Sequence, residues 1–71
     1  MPKLPSVSGR KIIRSLNRLG FIIVRQRGSH VFMQRQDATV TVPLNDPVKK
    51  TTLKSILNQA GVSLEEFLEN L

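Results

Sequence analysis

The sequence predicts an α+β fold: two helices on one face of a three-stranded antiparallel meander, with a short helix added at the end. Three observations predict it. Apolar residues recur at helical spacing before Gly20 and again before Gly61. Between these segments lie three short runs rich in β-branched residues. The turns between those runs, at Arg27-Gly28 and Gln36-Asp37, leave room only for antiparallel neighbours.

Residues 1–6, with two prolines, read as an extended tail, and residues 7–71 as one domain. Ser8 is a good N-cap, and Val7 with Ile12 has the spacing of a hydrophobic staple. The segment 9–19 carries Ile12, Ile13, Leu16 and Leu19 at helical spacing, and Gly20 supplies the stop. Arg10, Arg14 and Arg18 share the outer face of that helix.

Phe21-Ile22-Ile23-Val24 is too short for a helix between two glycines and reads as a strand. Residues 29–35 form the second strand. Residues 38–42 form the third, ended by Pro43. Residues 49–60 form the second long helix, with Leu53, Ile56, Leu57 and Ala60 on one face and Gly61 as its stop. Ser63 and Glu66 have capping-box spacing and start a last helix over 64–70.

Both helices on one sheet face leave the other face open. Val40 and Val42 alternate with Thr39 and Thr41, so the valines are expected to face the helices. In the first two strands either parity is apolar. The expectation adopted puts Phe21, Ile23 and Phe32 inside. Ile22, Val24, Val31 and Met33 then line the open face and form a docking surface.

The charge is divided unevenly. Residues 1–36 hold eight basic side chains and no acidic one; residues 37–71 hold three lysines and five carboxylates. The halves are thus +8 and −2, within a net charge of +6. Such asymmetry points to a polyanion, nucleic acid before membrane. The absence of cysteine excludes disulfides, thiolate metal sites and cysteine nucleophiles. One histidine and scattered carboxylates argue against a protein metal cage. No apolar run approaches a membrane span, and the N-terminus lacks a signal-peptide stretch, so a cytoplasmic protein is expected.

One constellation has chemical potential: Arg25-Gln26-Arg27-Gly28-Ser29-His30, at a tight hairpin. The glycine lets backbone approach a phosphate closely, and the arginines supply positive charge. Imidazole exchanges protons near neutral pH. RNA carries its own nucleophile, the 2′-hydroxyl. Its cleavage needs an acid/base group and cations that offset charge in the transition state, and it needs neither a metal nor a nucleophilic side chain. Ser29 and His30 do not form a nucleophilic pair, because adjacent strand residues point to opposite faces. Lys49, Lys50 and Lys54, around the first turns of the second long helix, offer another phosphate-binding end.

Four ordered blocks resemble the HicA toxin family, also called YcfA-like proteins. They are Leu19-Gly20-Phe21, Val24 through His30, Thr39 through Pro43, and Thr52 through Gly61. The resemblance spans about residues 7–68. It implies a fold like the double-stranded-RNA-binding domain, α-β-β-β-α. It also implies a metal-independent endoribonuclease that cleaves mRNA, arrests translation and is neutralised by a HicB-type antitoxin. His30 matches the family's essential histidine in its G-S-H motif, and Gly28 matches the motif's glycine. Two positions depart from the family pattern. Leu44-Asn45 stand where many members have a histidine after V-P, and Thr51 stands where many have glycine.

The resemblance therefore assigns His30 as acid/base. Arg25, Arg27, Gly28, Ser29, Lys49, Lys50 and Lys54 are the expected RNA-binding residues, with no cofactor. The competing expectation is a non-catalytic RNA-binding module that uses the same basic surface.

Overall fold

The computed structural model describes residues 3–71; the first two residues of the expected tail lie outside them. The elements run α1 (Gly9–Arg18), β1 (Ile22–Arg27), β2 (His30–Arg35), β3 (Ala38–Pro43), α2 (Lys50–Ala60) and α3 (Leu64–Glu69). The sheet is antiparallel in the order β1-β2-β3, so β2 is central. This is the expected α-β-β-β-α order with a short terminal helix.

The predicted signals work locally. The Ser8 hydroxyl accepts from the Lys11 N–H at 3.3 Å, and Val7 and Ile12 are both buried. Leu53, Ile56, Leu57 and Ala60 form the buried stripe of α2. The Ser63–Glu66 capping box is complete in both directions. Phe67 then anchors α3, fully buried, and its carbonyl accepts a 2.8 Å bond from the hydroxyl of buried Ser15 on α1. The segment before α1 is not loose along its whole length. Leu4 packs against the core, and the Val48 N–H donates to the Val7 carbonyl at 2.8 Å.

One basic residue is committed to holding the fold. The Arg35 guanidinium lies 4.7 Å from the centroid of the Phe21 ring and donates to the Leu19 carbonyl at 2.7 Å. It thereby ties the end of β2 to the α1–β1 connection.

The face assignment expected for β1 and β2 needs correction. Phe21 is buried as expected, and Ile22 and Val24 are exposed as expected. Val31 and Met33, however, are in the core, while Phe32 lies on the opposite face. The ladder gives the reason. Val31 pairs with Val42 and Met33 with Val40, and directly paired residues share a face. The inward valines of β3 therefore draw Val31 and Met33 inward with them.

Ile23, expected inside, is 53% exposed. It pairs with Met33 and so belongs to the inner side. But α1 and α2 pack over β3, at the far edge of the sheet, and leave β1 uncovered. The docking surface expected from Ile22, Val24, Val31 and Met33 is thus replaced by a shorter apolar stretch, Ile22-Ile23-Val24, on the β1 edge.

Candidate nucleic-acid interface

The outer face of the sheet is built in three rows by the ladder. Arg27, His30 and Pro43 form the first; Arg25, Phe32 and Thr41 the second; Ile22, Gln34 and Thr39 the third. Because Val31 and Met33 are held in the core, strand alternation turns His30, Phe32 and Gln34 outward. His30 is exposed.

Plain alternation along β1 would put Arg25 and Arg27 on the side of Ile23, away from Ile22. A bulge prevents this. Ile23 pairs with Met33 and Arg25 with Phe32, the next residue along β2, so Val24 is left without a partner. The extra residue resets the parity, and both arginines join His30 on the outer face. The Arg25 guanidinium lies 5.0 Å from the centroid of the Phe32 ring, which fixes the side on which Arg25 stands.

The hairpin turn is Gly28-Ser29. Gly28 adopts φ +57°, a left-handed conformation that side chains rarely take, and a Cβ there would point into open space. The Gln26 amide donates to the Gly28 carbonyl at 3.1 Å. The Ser29 carbonyl accepts from the Leu44 N–H at 2.8 Å, which pins the turn to the exit of β3. His30 therefore starts from a braced turn and has a strand on each side.

The strands contribute no carboxylate to this face. Two guanidinium groups beside an imidazole on an open sheet suit a phosphate backbone. Among the described residues, no group of three or more His, Cys, Asp or Glu is placed to hold a metal ion. No helix of the described residues is long and apolar enough to cross a membrane.

The structure brings His30, Arg25, Arg27, Gly28 and Ser29 together. Lys49, Lys50 and Lys54 stand exposed at the start of α2, whose buried stripe packs on the inner face of the sheet. Lys49 is the N-cap of α2 and makes no side-chain cap, and Lys50 opens the helix. Lys54 borders a cleft of about 420 Å³ walled by Leu4, Leu57, Val62 and Leu64. These lysines form a second basic region on the helical layer.

Sequence reasoning missed Phe32 as a member of the site face. The available signal was the valine alternation of β3, carried across to β2 in register.

Comparison with protein families gives a match. The model described as the HicA toxin of bacterial toxin–antitoxin systems covers residues 9–62, from the first residue of α1 to just past α2. It includes the whole sheet and the Gly28-Ser29 turn, and stops short of α3. Comparison with curated proteins finds no match.

Proposed function

This chain belongs to the HicA toxin family of bacterial toxin–antitoxin systems, and we propose that it is an endoribonuclease that cleaves mRNA, with His30 as its acid/base group. The observation that carries this reading is the composition of the outer face. An exposed imidazole lies in register with Arg27, next to Arg25, on strands without a carboxylate.

The chemistry follows from RNA itself. His30 takes the proton from a ribose 2′-hydroxyl. The 2′-oxygen attacks the adjacent phosphorus, the bond to the 5′-oxygen breaks, and that oxygen leaves as a hydroxyl with a proton from water or from the imidazolium. A 2′,3′-cyclic phosphate and a 5′-hydroxyl result. Arg25 and Arg27 offset the charge that builds on the non-bridging oxygens. Gly28 and Ser29 let the backbone chain pass close to the turn. Lys49, Lys50 and Lys54 hold more distant phosphates, which adds salt-dependent affinity without chemistry. No step calls on a metal or cofactor. With one imidazole on the face, turnover is slow.

The natural partner is a HicB-type antitoxin. It neutralises the toxin by covering the His30 face together with the exposed β1 edge.

The test compares wild type with His30→Ala, each induced in bacteria without antitoxin, with growth and mRNA integrity followed together. Circular dichroism checks the fold of the purified variant. Wild type is expected to arrest growth with loss of mRNA, and folded His30→Ala to do neither. A second reading draws on the presence of only one imidazole on the face: a module that binds RNA and does not cleave it. RNA binding by wild type, with intact mRNA in both strains, would establish that reading in place of the nuclease.

A further inference from the structure

The chain has three phenylalanines and no tyrosine or tryptophan. Phe21 and Phe67 are fully buried. Phe32 alone lies outside the core, partly exposed in the middle of the open sheet face. It stands on the central strand, in the row of Arg25 and Thr41 and next to the row of His30. Two residues along a strand separate Phe32 from His30, about 6.6 Å, which is comparable to the step of one nucleotide in an extended chain.

The Arg25 guanidinium, also flat, lies over the Phe32 ring, 5.0 Å from its centroid, so the ring backs the guanidinium plane. Phenylalanine rings and guanidinium planes are both surfaces on which unpaired bases stack. In a duplex the bases are stacked on one another, and A-form helices are read through backbone and minor-groove contacts instead. A flat platform on an open sheet is therefore useful for single strands only.

We propose that Arg25 and Phe32 form a stacking subsite for one unpaired nucleobase, which sets an adjacent phosphate at His30 and makes single-stranded RNA the substrate. The inference rests on the ribonuclease reading for its ligand and for the role of the neighbouring phosphate. It gives Arg25 two functions, charge at the phosphate and a stacking plane. The bulge at Val24 makes both possible by turning Arg25 onto this face.

The experiment uses the full chain carrying His30→Ala, so that RNA is not consumed. The probes are a short single-stranded oligoribonucleotide and the same strand annealed to its complement. Phe32→Leu keeps an apolar side chain and removes the aromatic face. It is expected to weaken single-strand binding roughly tenfold or more and to leave duplex binding unchanged. Phe32→Trp keeps the platform and gives the chain its one tryptophan; its fluorescence should be quenched by the single strand. If Phe32→Leu does not fold, the tryptophan variant decides alone. Single-strand affinity within twofold of the parent in Phe32→Leu, or unquenched Phe32→Trp, overturns the subsite.

Cleavage by the chain with His30 intact is measured separately. Cleavage without any dependence on Phe32 sinks the stacking subsite and spares the nuclease. Stacking without cleavage sinks the nuclease and spares the subsite.

Discussion

Arg27 and His30 face each other across the first hairpin, the last residue of β1 against the first of β2. Under the proposed ribonuclease function, a guanidinium in that position is expected to meet the same phosphate as the imidazole. Arg27 is exposed, and no core residue depends on it. Arg27→Ala should therefore fold normally and cleave bound RNA about 100-fold more slowly, a loss comparable to that of one charge-stabilising donor. Arg27→Lys should restore part of the rate, since it returns the charge without the planar fork. Single-turnover cleavage at saturating protein checks this. An unchanged rate with weaker binding would make Arg27 an affinity residue only.

Gly9 controls the other side of the same row. Its N–H donates to the Asn45 carbonyl at 2.8 Å, and a Cβ there would run into the carbonyl oxygen of Pro43, the partner of His30 in β3. Gly9→Ala must push α1 away from the end of β3. Overpacking of this kind costs about 1–3 kcal/mol, set against a gain of at most about 1 kcal/mol in helix propensity. In a domain with a net stability of about 3–5 kcal/mol, the urea midpoint should fall visibly. A midpoint at or above that of wild type would show that the approach relaxes freely.

The elements were legible in the sequence because their signals are local. Ser8, Ser63 with Glu66, and Gly61 act within one helical turn, and each does what its type predicts. The site motif was legible for a similar reason: Gly28 must take the left-handed turn that places His30 at the start of β2. Face assignment in β1 and β2 was not legible from either strand alone. Ile22-Ile23-Val24 shows no alternation, and in β2 Phe32 competes with Val31 and Met33 for the core. Only the register against Val40 and Val42 settles that competition. The bulge at Val24 leaves no trace in composition, yet it carries Arg25 and Arg27 to the face of His30. That Lys49, Lys50 and Lys54 belong to the helical layer and not to the strands follows from layer packing, which charge counting does not see.

The α3 helix lies beyond the family match but is part of the core. Ser15→Ala removes its bond to the Phe67 carbonyl, which the Asn70 N–H also reaches at 3.2 Å. Because the carbonyl keeps a partner, the loss should be about 1 kcal/mol. Phe67→Ala removes a fully buried ring, at a cost of about 3–5 kcal/mol. That is the whole stability expected for the domain. Thermal unfolding should show a modest shift for Ser15→Ala and no cooperative transition for Phe67→Ala. A cooperative Phe67→Ala transition near that of wild type would mean that α3 is an appendage.

The β1 edge presents unpaired backbone groups beside exposed apolar side chains, Ile22 at 59% and Val24 at 48%. Free edges of this kind invite an added strand, and proteins that must avoid one place lysine there. Val24 is a bulge residue, so a partner cannot continue the ladder past it without accommodating the bulge. Antitoxin docking here is therefore expected to rely on Ile22 and Val24 as apolar anchors as well as on backbone pairing. The double variant Ile22→Lys with Val24→Lys should cost about 0.5 kcal/mol or less per site, as exposed positions do. It should retain RNA cleavage, with added positive charge beside the outer face. Its affinity for the HicB-type antitoxin should fall at least tenfold, and co-expressed antitoxin should no longer protect growth. Calorimetric titration of both proteins with the antitoxin measures this directly. Equal affinities would confine the antitoxin footprint to the part of the outer face around His30, away from the Ile22–Val24 edge.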